Sequence, residues 1–366
     1  FPSLVAYIGG SNARFGLLTE ARVQHVRTLP VLAHSGLAAA VQAYLAELAA
    51  LLGDNFRAPR RAAFAVATAV AGDQIEFTNS HWNFSRTSVQ AELDLDALLV
   101  LNDFEALALS LPHLDASQLR PHGTIGKPHG TLAVIGPGTG RGVAGVVQTP
   151  AGWVALASEG GHVTLAAADD FESALLQCAR RTYPHVSAER LLSGIGLPLL
   201  HRALSEVRGV AVSSLSAEQI VELGLSGSDA LCGQTLDVFC ALLGSFAGNV
   251  ALTLGARGGV YIGGGIVPRI ADRFFASRFR ERFESKGRCR SYLEAIPTAL
   301  ITDTLVALTG ALAFETAWRN RLAVDDFVIV KQLPVIGPAG WIAASLQKWW
   351  ATSFQSHDMR PFSGLT

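Results

Sequence analysis

Three glycine clusters stand out as places where backbone could close on an anion: Gly9-Gly10-Ser11-Asn12, Gly136 to Gly142, and Gly263-Gly264-Gly265. Backbone N–H groups in such loops can reach phosphate oxygens because no side chain stands in the way. Neither GxxxxGK[ST] nor a usable GxGxxG is present, since Arg141 occupies the sixth position of the dinucleotide pattern in the GPGTGRG loop. Taken singly, each cluster reads as a plain turn; three in one chain read together as a phosphate site. A hydroxyl that attacks a phosphate needs a carboxylate to take or orient its proton. Asp103 qualifies, because it follows the apolar run 98–101 and precedes an apolar helix, a strand end where α/β folds gather their sites. On spacing alone it is equally an N-cap aspartate. Asn102, Asp103, Glu159, His162 and Glu189 together offer the donors and acceptors that a polyhydroxylated ligand requires. Glu159 and His162 flank Gly160-Gly161, a turn able to aim both into one pocket. Read alone, Glu189 is a first-turn helix carboxylate and His162 a structural histidine.

These residues need a scaffold, and the hydrophobic pattern supplies one. Residues 4–18 read as strand, glycine turn and returning strand; residues 131–147 repeat that plan, with a hydroxyl residue (Ser11, Thr139) among the glycines of each. Two such hairpins suggest two related halves facing one cleft. Short apolar runs at 63–69 and 98–101 read as buried strands, with a helix over 36–52 between the hairpin and the first of them. Beyond residue 170 the pattern turns helical, over 171–183, 186–192, 216–223 and 231–254. A strand at 258–262 then runs into the third glycine cluster and a further helix.

Composition narrows the class. With 366 residues, 49 % hydrophobic, 16 % charged and 36 glycines, the chain is globular and long enough for two domains. Lys and Arg (29) balance Asp and Glu (30), so no global basic field calls for nucleic acid or an anionic membrane. The four cysteines lack metal-ligand spacing, which fits a reducing cytoplasm. The sequence opens without an export signal and contains no uninterrupted apolar run of about 20 residues. Residues 319–366 differ, with Trp341, Trp349 and Trp350 clustered among prolines. Their expected role is to cover apolar surface.

Six motifs, IGGSNAR (8–14), LNDFEALALSLP (101–112), GPGTGRGVA (136–144), SEGGHV (158–163), HVSAERLLSGIGL (185–197) and GGVYIGGGIVPR (258–269), resemble those of bacterial glucokinases in kind and order. The segments 77–85, 239–252 and 277–288 fill the intervals, so the resemblance covers roughly residues 4–315. It implies a two-domain, actin-like (ribonuclease H-like) α/β sugar kinase fold with a central cleft. The smaller domain would comprise residues 1–112 plus 301–318 and the larger 113–300. The implied activity is ATP-dependent phosphorylation of glucose, with Mg²⁺ accompanying the nucleotide, in a cytoplasmic homodimer that engages neither nucleic acid nor membrane. Asp103 would be the catalytic base. Asn102, Asp103, Glu159, His162 and Glu189 would line the glucose site, joined by Asn79 from FTN (77–79). Gly9, Gly10, Ser11 and Asn12 would form the first phosphate loop, Gly138, Thr139 and Gly140 the second, with adenine near Gly264 and Gly265. No residue of the chain is expected to cage a metal.

One departure from that pattern bears on the chemistry. The family's first loop reads Asp-x-Gly-Gly-Thr, and its aspartate helps hold hydrated magnesium; here Tyr7 stands in that place and Ser11 keeps the hydroxyl. A neutral phenol cannot replace a carboxylate's charge beside a divalent cation. Two expectations follow: an enzyme that orders Mg²⁺ through ATP and water, or a catalytically weakened or inactive glucose-binding homologue. A sugar-responsive repressor would carry a helix-turn-helix outside the kinase-like region, and a repressor-related kinase a zinc-binding Cys/His cluster. Neither is apparent in the sequence.

Overall fold

In the computed structural model, residues 2–303 are described apart from residues 20–21, 78–79, 139 and 151. The first glycine cluster reverses the chain between β1 (Ser3–Ile8) and β2 (Asn12–Thr19), which pair antiparallel with Tyr7 opposite Arg14. β3 (Arg22–Pro30) extends this meander. Helix α1 (Leu37–Leu52) then crosses over to β4 (Arg61–Val66), which lies parallel to β1. Leu37, Val41, Tyr44 and Leu48 bury one stripe of α1 at the spacing a helix demands. A small ribbon of β5 (Gln74–Glu76) and β6 (Asn83–Ser85) and helix α2 (Arg86–Glu92) lead to β7 (Ala97–Asn102), parallel to β4. The resulting sheet has the order β3-β2-β1-β4-β7. At its end the chain enters α3 (Asp103–Ser110).

The second half repeats this plan. After β8 (Leu119–His122), strands β9 (Thr131–Pro137), β10 (Arg141–Thr149) and β11 (Gly152–Leu156) form a second antiparallel meander. β12 (Gly259–Ile262) and β13 (Thr298–Ile301) add parallel strands beside β9, and β8 closes the far edge. The order β11-β10-β9-β12-β13 therefore matches that of the first sheet strand for strand, with β8 as an addition. This duplication is what the actin-like expectation requires.

Between β11 and β12 the second half inserts α4 (Asp170–Arg180), α5 (Ala188–Leu191), α6 (Leu197–Arg208), α7 (Ala217–Ser226) and α8 (Ala230–Leu254). Two described stretches, residues 37–55 and α8, are long and apolar enough to cross a membrane, but α8 is mostly buried and forms the axis of the larger core. Three sequence expectations shift. The helix expected over 186–192 is the single turn α5; α6 was not foreseen; and the strand expected over 63–69 ends at Val66. The expected returning helix at 301–318 and the segment 319–366 lie outside the described residues.

Candidate active site

Asp103 owes its position to three parallel strands in register. Tyr7 of β1 stands beside Ala65 of β4, which stands beside Leu101 of β7, so Asp103 emerges two residues past the end of that row. It is not the cap of α3. Asn102 holds that role: its Oδ1 accepts the Phe104 N–H at 2.9 Å, and Glu105 accepts the Asn102 N–H at 3.2 Å. Asn102 Nδ2 also donates to the Thr68 carbonyl at 3.0 Å, which leaves one amide hydrogen for another acceptor. With the cap filled by its neighbour, the Asp103 carboxylate is available for chemistry.

Its surroundings tune it. Burial disfavours the ionised carboxylate and raises its pKa to about 6; the nearby backbone N–H groups of Phe104 and Asp103 and the Tyr7 hydroxyl oppose that rise, while the charge of Glu159 adds to it. A carboxylate with this proton affinity is ionised at neutral pH yet basic enough to take a proton in a transition state.

The second hairpin is locked to α3 by the ring of Phe104. A Cβ at Gly142 would stand 1.9 Å from Phe104 Cδ2, and one at Gly136 2.4 Å from Phe104 Cζ, so both positions admit only glycine. Glycine is unfavourable inside strands and there marks close approach. That signal was present in the sequence, although the partner was not. Phe104 thus joins the helix that begins at Asp103 to the second glycine loop.

Around this anchor the structure gathers most of the expected polar residues. Glu159 starts a short 3₁₀ turn over Gly160–His162. His162 Nε2 lies 3.8 Å from Glu159 Oε2, and His162 Nδ1 lies 4.0 Å from Glu189 Oε1. Glu189 is placed by α5, whose N-cap is Ser187. Its other oxygen accepts the Arg141 N–H at 2.9 Å, so one carboxylate touches both the histidine cluster and the second glycine loop. Glu159 and His162 are exposed and Glu189 is half-buried.

The glycine loops are themselves tied together. Gly9 N–H bonds to the Asn12 carbonyl at 3.0 Å and closes the first turn, leaving Ser11 and Asn12 exposed. The Gly138 N–H bonds to the Gly140 carbonyl at 2.9 Å, and the Ile266 N–H reaches the Pro137 carbonyl at 3.2 Å, joining the second loop to the third. Gly264 and Gly265 are exposed at that junction. Asn79 and Thr139 lie outside the described residues.

Arg141 is the residue the sequence reading passed over. It is 5 % exposed, its guanidinium lies 4.0 Å over the Phe246 ring, and Nη1 makes a 3.4 Å bond to the Leu192 carbonyl. Among the described residues no partner serves Nε or Nη2. Burial lowers its pKa to about 9, against the pull of Glu189.

Known proteins resemble this chain along most of its length. A family profile described as Glucokinase matches residues 4–317. A protein named glucokinase from Neisseria meningitidis is 47 % identical over 316 residues, spanning 86 % of this chain and 94 % of the relative. The crystal structure of a glucokinase from an Antarctic psychrotroph superposes with a TM-score of 0.78 at 39 % identity, covering 86 % of this chain and 98 % of that one. A more distant structure, a ROK family glucokinase from Streptomyces griseus in complex with glucose and AMPPNP, shares the fold at a TM-score of 0.55 and 16 % identity, over 86 % of this chain and 99 % of its own.

Proposed function

The chain belongs to the glucokinase family, and from that premise we propose that it transfers the γ-phosphoryl group of ATP to the 6-hydroxyl of glucose with Asp103 as the general base. The observation that carries this reading is the cluster of Glu159, His162 and Glu189, in which Glu159 acts on Asp103 and Glu189 also accepts from the second glycine loop. Glucose would be held by Glu159, His162 and Glu189 through its hydroxyls, aided by the spare amide hydrogen of Asn102 and by Asn79. Its 6-hydroxyl would face Asp103. As the sugar oxygen bonds to the γ-phosphorus, the bond from that phosphorus to the β–γ bridging oxygen breaks, Asp103 takes the hydroxyl proton, and ADP leaves.

ATP would lie along the exposed turns Gly9 to Asn12 and Gly138 to Gly140, with adenine against Gly264 and Gly265. A cluster of carboxylates repels a triphosphate, whereas the open backbone of these turns is suited to it. Magnesium belongs to the nucleotide in this scheme. No group of three His, Cys, Asp or Glu side chains stands ready to hold an ion among the described residues, and Tyr7 offers a neutral phenol where a carboxylate would serve. The ion would therefore be held by phosphate oxygens and water, not by a protein cage.

We also infer that residues 1–112 with 301–318 form the small domain and residues 113–300 the large one, a reading supported by the two repeated sheets. Cytoplasmic placement is supported by four free cysteines, and a homodimer by the family resemblance. The test of the reaction is a coupled assay of glucose 6-phosphate formation alongside calorimetric glucose binding. Wild-type protein should turn over, and Asp103→Asn should lose about 10² to 10⁴ in kcat while still binding glucose. Equal kcat in the two proteins would remove Asp103 from the mechanism.

A further inference from the structure

The row that positions Asp103 has a large residue at one end and a small one in the middle. Tyr7, Ala65 and Leu101 occupy matched registers on three adjacent parallel strands, and all three belong to or pack against one apolar cluster with Phe104 and Leu107. Neighbouring strands lie about 4.8 Å apart, so the methyl of Ala65 leaves a lane across the top of β4 that a phenol can span. Tyr7 packs against the cluster beneath this lane, and its ring borders the first glycine turn: a Cβ on Gly9 would sit 3.4 Å from Tyr7 Cε1 and 3.9 Å from its hydroxyl. At the far end of the lane stands Asp103, and the phenol and the carboxyl act on each other's ionisation.

We propose that Tyr7 is a positioning residue for the base: its hydroxyl, laid across Ala65, donates to the Asp103 carboxylate and holds one of its oxygens, so that the other is presented to the incoming sugar hydroxyl. The inference rests on the reading of Asp103 as the base and adds to it a partner that the family pattern, with aspartate at this position, does not possess. A carboxylate has two oxygens with about four lone-pair sites between them, so a phenol held at one oxygen leaves the other open to substrate. The other charged groups acting here are Glu159, facing Asp103 from the sugar cluster, and Arg14, acting on Tyr7 from β2. Because the phenol donates to the ionised form, it favours a charged Asp103 where burial and Glu159 oppose it.

Tyr7→Phe removes one oxygen and keeps the ring that fills the lane, so the fold should be retained at an unchanged melting temperature within a few degrees. Titration of the Asp103 carboxyl carbon by NMR in [¹³C]aspartate-labelled protein, with Asp103→Asn to assign the signal, is expected to show the midpoint rising by about one pH unit in Tyr7→Phe. The acid limb of kcat/KM for glucose should rise by the same amount, kcat should fall several-fold, and KM for glucose should stay within about twofold. An unmoved midpoint, or a fall in kcat with the acid limb in place, would overturn the proposal. The NMR arm needs no turnover. A shifted midpoint in a protein that never phosphorylates glucose would sink the kinase reading and leave the Tyr7 contact standing, whereas normal turnover with an unmoved midpoint would do the reverse.

Discussion

At the scale of single residues, the site concentrates its cost in Asp103. The folded-state pKa, about 6, lies above the ordinary 3.8, so folding takes up a proton between those values. The ionised carboxylate therefore costs stability above about pH 6, and the cost disappears below about 3.8. Asp103→Asn is accordingly expected to stabilise the protein at pH 7.5 by about 1 to 2 kcal/mol, the partial exposure of the side chain discounting the full shift. Urea denaturation at pH 7.5 and pH 4 measures this. The gain should shrink at the lower pH, and a variant less stable than wild type at both would contradict it. That Glu159, His162 and Glu189 lie together was legible in the sequence only through the motifs they share with the family, since each read alone has an ordinary structural role. The contact of Tyr7 with Asp103 was not, because it depends on the register of β1, β4 and β7 and on a small residue between them, none of which a linear reading supplies.

At the scale of elements, α3 and the second hairpin act as one unit through Phe104. Gly142→Ala would thrust a methyl into that ring, and relieving the overlap must shift the start of α3 that carries Asp103. Overpacking of this kind costs about 1 to 3 kcal/mol. The loss is expected to appear in kcat more than in glucose affinity, since Glu159 and His162 sit on a separate turn; steady-state kinetics with a glucose titration separates the two, and an unchanged kcat would contradict the coupling. Arg141 makes the opposite prediction. Its guanidinium is buried and, among the described residues, two of its nitrogens have no partner; replacing a buried charge with an apolar side chain of similar reach is often stabilising by about 1 to 4 kcal/mol. Arg141→Leu should raise the denaturation midpoint, and a fall of more than about 1 kcal/mol would show that the charge is matched by something unseen. The hairpins were legible because apolar runs flank glycine clusters. β8, with Arg120, Pro121 and His122 at an antiparallel edge, was not, since edge strands need neither alternation nor a full set of donors. The start of α6 was hidden by the Gly194, Gly196 and Pro198 punctuation before and within it, although proline in the first turn is a helix-starting signal.

At the scale of the whole molecule, the two repeated sheets explain why the proposed sugar and nucleotide residues come from both halves of the chain. Asp103 ends the first sheet, the second glycine loop opens from the second, and the inserted helices carry Glu189. A site divided in this way is completed by drawing the halves together, which would exclude water that competes with the sugar hydroxyl for phosphate. Saturating glucose is therefore expected to reduce the radius of gyration in small-angle scattering and, at about 100 times its Kd, to stabilise the protein by about 2.7 kcal/mol. Scattering curves that superpose with and without glucose would count against closure. The duplication itself could be read from the two hairpins, whereas the matched strand order could not, because the parallel pairings join segments separated by whole helices, as far apart as Leu132 and Gly259.

The Asp103 carboxylate is the point on which these scales meet, and its ionisation during turnover is the most direct test. In wild-type protein, kcat/KM for glucose measured in the coupled assay should fall tenfold per pH unit below about pH 6, with Asp103→Asn giving a low and pH-independent baseline. Activity that stays level from pH 7.5 to pH 5, or an Asp103→Asn protein that keeps the wild-type rate and the same acid limb, would contradict the assignment of Asp103 as the base.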